Sequence, residues 1–478
     1  MHAELLIDGY FFGGPCDQSI GKTQHYAPYD GELVGTAAEA GWSELDAALN
    51  AARNAFQAWR QSPFTDRQAL LGRVSTMIRE RSEELANLMA REIGKPVSAA
   101  HAEIERCAIT FKLAADYLGL VQQEHYPLDY DGRGKDFVGS SERFPVGVVM
   151  AIVPYNWPLN LAAHKVAPSL AAGNTVVVKA PSLGTLTTLT LGRILHECGC
   201  PPGVVNFLNC SATLAQKAVE DPRTDMLSFT GSPAVGWKLK GLIPKKRVAL
   251  ELGGDATAVV AADADITSAI EKLVKSSFLY AGQICISTQH ILVDKTIYEE
   301  FTKKFVAAAE ACPAGNPLDP QTVCGPVSSA ESADRIMEWI QEAEDEGAQV
   351  LTGGNRTGLI IEPTVVANVP DNVKLGCEEV FGPVVTLASY STLEEAIERI
   401  NRSKFGLQVA IFTNSVEAQA QFYRQCDVGS VIVNDSPSVR FDSMPYGGNK
   451  ESGYGREGIA SAFHEMTSAK SLVERKQK

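Results

Sequence analysis

The sequence predicts an α/β protein built on a doubly wound parallel sheet, followed by a second α/β unit. Three observations predict it. Helical and strand-like patterns alternate through most of the chain. The strand-like runs are short and almost continuously apolar, as in strands buried on both faces of a parallel sheet. The chain has 478 residues, more than a single core of ~250–300 residues absorbs, so at least two domains are expected.

In order, SELDAALNAARNAFQAWRQS from Ser43 carries a Ser/Asp capping signal and apolar residues at helical spacing. A long helical region follows from about Arg67 to Gly119. From Val146 the texture changes to VGVVMAIV, NTVVVKA, VVNFL, MLSFTG, RVALEL and TAVVAA, with helical segments between. This is the pattern of a doubly wound domain. A second series from about Ala256 includes HILVD, PVVTLASY and GSVIVND. The Gly253-Gly254 pair within Glu251–Asp255 marks the junction. Gln122–Ser141 fits neither series and reads as a β excursion, and the tail AKSLVERKQK as a short strand ending in charge.

Hydrophobic residues make up 45% and charged residues 21%, ordinary values for a globular protein. A formal net charge of -14 disfavours nucleic acid as a general partner. The ten cysteines are too dispersed for a disulfide framework and suggest a reducing compartment, so the cytoplasm is expected. The N-terminus MHAELLIDGYFFGGP has no basic region followed by an apolar run. The apolar stretch from Val146 is broken by Pro154, Asn156 and Pro158, so no membrane span is expected. The histidines do not cluster with cysteine or carboxylates at ligand spacing, so no metal is expected.

Four places carry chemistry. In VPYNWPLN, prolines at 154 and 158 hold Asn156 and Trp157 after a buried strand, where an amide could donate to a developing oxyanion; a well-made turn is the plainer alternative. In SFTGSPAVGWK, Gly231 and Gly236 bracket a turn that opens a helix, whose N-terminus attracts a pyrophosphate. In LELGG, Glu251 interrupts an apolar run, and a carboxyl there needs a partner or a task such as general-base work. In YAGQICIST, a Gly-Gln pair predicts a loose step before Cys285, which taken alone reads first as a buried apolar plug, the commoner fate of a free cysteine, and only second as a nucleophile.

These motifs in this order resemble the aldehyde dehydrogenase superfamily, together with APSLAAGNTVVVKAP, EEVFGPV and MPYGGNKESGYGREG. The resemblance covers nearly the whole chain. It implies a Rossmann-like cofactor domain over residues 1–125 and 144–251, a catalytic domain over 252–445, and bridging strands at 126–143 and 463–478 that pair between subunits of a homodimer or homotetramer. It also implies that Cys285 attacks the aldehyde as a thiolate. Asn156 and the Cys285 backbone N–H would hold the oxyanion, and Glu251 would activate water against the thioester. Glu379 and Phe381 would position the nicotinamide ribose and ring, and Lys179 would reach the adenosine ribose. Gly231, Ser232 and Gly236 would lie near the pyrophosphate. Trp157, on the cofactor side, and Tyr155 would line an apolar entry. Lys165 matches a lysine near the active site, or is a solvated helix charge.

Ser182 stands where many relatives carry a ribose-binding glutamate. A serine does not repel a 2′-phosphate, so the sequence leans towards NADP, with NAD also used. KAPSLGT and VRFDSMP resemble the branch of lactaldehyde, succinate-semialdehyde and non-phosphorylating glyceraldehyde-3-phosphate dehydrogenases. The expected substrate is a small-molecule aldehyde, short and hydroxylated or anionic. Arg106 and Arg440 are candidates for its anionic tail, with the alternative that Arg440 pairs with Asp442 to brace its own loop. His164 reads as structural. Two other readings stay open: a CoA-acylating semialdehyde dehydrogenase, against which Glu251 speaks, and a catalytically idle relative that keeps the fold.

Overall fold

The computed structural model describes every residue except 122, 131 and 478. Expectations for the excursion and the tail that touch these three positions lie outside the described residues.

The first sheet runs, edge to edge, Gly453–Tyr454, Arg247–Glu251, Met226–Thr230, Val148–Ile152, Thr175–Lys179, Val205–Leu208, Leu5–Ile7 and Tyr10–Phe12. Its five central strands are parallel and almost wholly buried. In chain order they stand 5-4-1-2-3, so winding reverses between Val148–Ile152 and Met226–Thr230. A ligand crevice is expected beyond the carboxyl ends of strands at such a point. Both the Asn156 turn and the Gly231–Ser232 turn leave the sheet there.

The second sheet runs Gln349–Thr352, Thr364–Ala367, Val384–Tyr390, His290–Asp294, Thr257–Val260, Gln408–Phe412 and Ser430–Val433, parallel except for the first pair. A third sheet joins Glu124–Tyr126, Phe137–Pro145 and Thr467–Arg475, which pairs the excursion with the tail.

Two local readings need correction. The helix Trp42–Trp59 is entered through Gly41, whose N–H donates to the Glu44 carboxylate at 2.7 Å, rather than capped by Ser43. The long helical region is three helices, Phe64–Glu80, Ser82–Ile93 and Val97–Tyr117. The last break falls at Gly94 (φ +67°), where the chain turns left-handed before Lys95-Pro96. No helix among the described residues is long and apolar enough to cross a membrane.

Candidate active site

The segment that delivers Cys285 follows the helix Ile266–Phe278. Tyr280, Ala281 and Gly282 all have positive φ, at 53°, 53° and 66°. A Cβ on Gly282 would lie 2.2 Å from the Gly382 carbonyl oxygen, so only glycine fits there. Left-handed non-glycine residues persist only where their surroundings hold them. Here the hold is visible: the buried Tyr280 hydroxyl donates to the Ile93 carbonyl at 3.1 Å. Gln283, 1% exposed, donates through Nε2 to the carbonyls of Tyr280 and Pro326 and accepts from the Tyr155 hydroxyl at 2.9 Å. The Gly-Gln pair therefore pins the chain, contrary to the loose step expected from sequence.

Asn156 meets this segment directly. Its Nδ2 donates to the Gln283 carbonyl at 2.8 Å, and its own carbonyl accepts from Lys95 Nζ at 2.7 Å. Lys95 is fully buried, contacts Glu103 and lies 3.8 Å from the centre of the Trp157 ring. Glu103 Oε1 accepts the backbone N–H groups of Leu159 and Asn160 at 2.8 and 3.1 Å, at the start of the helix Asn160–Ala172. The amide is thus fixed from both ends.

The Cys285 side chain is half-buried, among Ile284, Ile286, Leu407, Tyr446 and Trp157. Its Sγ lies 3.1 Å from the Tyr446 hydroxyl. Burial pushes the thiol up to about 11; the Tyr446 hydrogen bond works the other way. At neutral pH the side chain therefore rests as a thiol and must lose its proton before it can attack. Cys16 and Cys377, by contrast, are exposed.

Glu251 ends the strand Arg247–Glu251, and both its carboxyl oxygens are buried with no hydrogen-bond partner. Burial, reinforced by Glu457, raises its pKa well above the usual carboxylate range, against the pull of Arg440, Lys165 and Arg456. A Cβ on Gly447 would approach its Oε1 to 3.0 Å, so glycine keeps that flank open.

Behind these groups stands an ion cluster. Lys165 Nζ donates to Glu457 at 2.9 Å and to Thr230 at 2.7 Å, fully buried, so it is not a solvated helix charge. Arg440 is 6% exposed, donates to Glu457 at 3.1 Å and lies 3.7 Å from the Tyr446 ring centre. Its Nε is 3.6 Å from Asp442 and has no hydrogen-bond partner. The bidentate partner of Asp442 is instead Arg106, at 3.0 and 2.7 Å. His164 also meets Asp442, at 2.8 Å, and burial keeps its imidazole below its ordinary pKa. Burial opposes ionisation of Glu457, yet Lys165, His164 and Arg440 outweigh it and hold the carboxyl down to about 2. Sequence reasoning gave Tyr446 and Glu457 no role, although both lie in the C-terminal motif, and it missed Lys95 and Glu103 altogether.

The crevice at the sheet's reversal carries the other predicted residues. Lys179 ends its strand half-buried, and among the described residues it has no ion-pair partner; Ser182 is exposed three residues on. Ser232 precedes the helix Pro233–Leu242. Gly236 is buried, and a Cβ there would meet Leu252 at 2.5 Å, so close helix–strand packing demands glycine. Glu379 accepts the Gly254 N–H at 3.0 Å, and burial pushes it up to about 7. A Cβ on Gly253 would come within 2.3 Å of Glu379 Oε2, so the glycine lets this carboxyl lie across the turn. Phe381, at φ +45°, makes an edge contact with Tyr155 at 6.2 Å. A lysine without a partner, a helix N-terminus and a carboxyl over a glycine pair fit a dinucleotide. No group of three or more metal-ligating side chains occurs among the described residues.

Residues 16–472 match the Aldehyde dehydrogenase family. The chain is 38% identical over 427 residues to the 3-sulfolactaldehyde dehydrogenase of Priestia aryabhattai, covering 89% of this chain and 88% of that one. It superposes with a TM-score of 0.97 on aldehyde dehydrogenase 21 of Physcomitrella patens in complex with the reaction product succinate, at 37% identity and over 99% and 98% of the two chains. The TM-score is 0.91 against the glyceraldehyde-3-phosphate dehydrogenase GapN of Methanocaldococcus jannaschii complexed with NADP, at 36% identity and over 95% and 99%. Matched along almost its whole length in both sequence and backbone, the chain belongs to the aldehyde dehydrogenase family of oxidoreductases.

Proposed function

We propose that this chain oxidises a short, hydroxylated or anionic aldehyde to its carboxylic acid with NADP⁺ or NAD⁺. The Cys285 thiol gives up its proton to water, its Sγ bonds to the carbonyl carbon as the C=O π bond breaks, and the Asn156 amide and the Cys285 N–H steady the oxygen as it gains charge. When bound, the nicotinamide cofactor supplies the hydride acceptor that turns the thiohemiacetal into a thioester. Lys179, Ser182, Gly231, Ser232, Gly236, Glu379, Phe381 and Trp157 would hold it. Glu251 takes a proton from water, which adds to the thioester carbon; the carbon–sulfur bond then breaks and Cys285 regains its proton.

The observation that carries this reading is the Glu251 carboxyl, buried beside Cys285 with neither oxygen engaged. A structural carboxyl in such a place would be hydrogen-bonded. Glu251→Gln is expected to leave a burst of one NADPH per site and to cut steady-state turnover at least 100-fold, with Cys285→Ala abolishing both. Loss of the burst in Glu251→Gln refutes its assignment as the deacylating base. A base that water needs and a thiol does not disfavours acyl transfer to coenzyme A.

The anionic substrate class is supported by relatives named for sulfolactaldehyde and glyceraldehyde 3-phosphate and by one solved with the product succinate; Arg106 and Arg440 are engaged by Asp442 and Glu457 and do not carry it. Tyr155 would line the entry. The lean to NADP rests on the exposed Ser182. The proposed domains are 1–125 with 144–251 for the cofactor and 252–445 for catalysis, with 126–143 and 463–478 bridging subunits of a homodimer or homotetramer in the cytoplasm. The return of Gly453–Tyr454 to the first sheet's edge adds that pair to the cofactor domain.

A further inference from the structure

Tyr446 is held in place by its backbone as well as its ring. Its N–H donates to the Glu457 carbonyl at 3.0 Å, and the Glu457 N–H returns a bond to the Tyr446 carbonyl. The ring is 4% exposed, lies 3.7 Å from the Arg440 guanidinium and packs on Ile284, Ile286 and Leu407. This leaves the hydroxyl one described partner, Cys285 Sγ at 3.1 Å. Burial, with Cys285 and Glu251 adding to it, drives the phenol well above its ordinary pKa, so the group keeps its proton. Opposite a thiolate it can act only as a donor.

We propose that Tyr446 is a catalytic residue that stabilises the Cys285 thiolate by donating its phenolic O–H to the sulfur and fixes the sulfur's direction of attack. Tyr446 exchanges no proton; its O–H bond stays intact throughout. Other groups acting on the sulfur are Glu379 and Glu251, which disfavour a second negative charge, and Arg440, which favours it but is shared with Glu457 and Asp442. The hydroxyl is therefore the sulfur's directional donor among these side chains. The proposal rests on Cys285 being the nucleophile, and its test is independent of turnover.

The test is alkylation of the holoprotein by iodoacetamide between pH 7 and pH 10, with the Cys285 peptide quantified by mass spectrometry and the exposed Cys16 and Cys377 as internal controls. Loss of a hydrogen bond to a charged group raises the thiol pKa by about one to two pH units, a ~10–100-fold smaller thiolate fraction. The more basic sulfur is intrinsically more nucleophilic, with a Brønsted slope of ~0.4–0.5, which returns about half of that on a logarithmic scale. Tyr446→Phe should therefore alkylate at Cys285 about 3- to 10-fold more slowly at pH 8, with the profile moved to higher pH and the two controls unchanged. Incorporation of 3,5-difluorotyrosine at 446, a stronger donor on the same ring, should move the profile the other way. A Phe variant whose profile superimposes on the parent, or whose Cys285 reacts faster, overturns the proposal. If Cys285→Ala still oxidises aldehyde, the nucleophile assignment fails instead, whatever the alkylation shows.

Discussion

Replacing Lys95 by methionine removes the buried ammonium that pairs with Glu103. The ammonium and the carboxylate are both fully buried, and Glu103 retains only the two backbone N–H groups of Leu159 and Asn160. Burial lowers Lys95 to about 8, with Glu103 pulling it back, so the ammonium keeps its charge at neutral pH. Breaking such a pair from one side costs about 3–5 kcal/mol, because the remaining ion is stranded. Methionine conserves most of the volume against Trp157 and Tyr280, so little of the loss is packing. The Asn156 carbonyl also loses its donor, and the amide on the same residue is then held by Gln283 alone. A displacement approaching 1 Å in a reacting group can cost 100-fold, so kcat should fall about 10–100-fold. Urea unfolding followed by tryptophan fluorescence reads the stability; steady-state NADPH production reads kcat. The double variant Lys95→Met/Glu103→Gln keeps an acceptor for the two N–H groups without the stranded charge, and should recover at least 2 kcal/mol of the loss while kcat stays low. A double variant no more stable than Lys95→Met would refute the stranded-charge argument.

Two further substitutions probe the proposed nucleophile segment and the proposed cofactor crevice. Gly282→Ala places a methyl 2.2 Å from the Gly382 carbonyl at φ +66°, so it should cost about 2–4 kcal/mol and more than 100-fold in kcat/KM; a variant with parental melting temperature and kinetics would contradict this geometry. Ser182→Glu sets a carboxylate against a 2′-phosphate and should lower kcat/KM for NADP⁺ about tenfold or more while sparing NAD⁺. Equal effects on the two cofactors would remove Ser182 from the ribose site.

The parallel strands were legible because burial on both faces leaves an unbroken apolar run. Val148–Ile152, Thr175–Lys179 and Met226–Thr230 each read as one. The short strands Leu5–Ile7, Tyr10–Phe12 and Gly453–Tyr454 at the two ends of the sheet were not, since two or three residues carry no period. Cys285, Asn156 and Glu251 could be picked out because each is chemically out of place in its own segment. Lys95 and Glu103 could not: on the surface of a helix pair they would look the same in sequence, and only the packing of Trp157 and Tyr280 over them makes them an ion pair without water. Arg440 shows the opposite case: a loop arginine expected to face either substrate or Asp442 pairs with Asp442 at 3.6 Å but more closely with Glu457 at 3.1 Å, while Arg106 is the bidentate partner of Asp442.

By itself, the order of residues determined the alternation of helix and strand and marked three side chains that are chemically unusual in their own segments. Those depend on periodicity and on chemistry within a few neighbouring positions. The tertiary structure alone decided which charges cancel and which group touches the sulfur. Such contacts join positions 161 residues apart for Cys285 and Tyr446, 292 for Lys165 and Glu457, and 336 for Arg106 and Asp442. No local pattern encodes a partner at that separation, because the pairing energy exists only once both groups have lost their water.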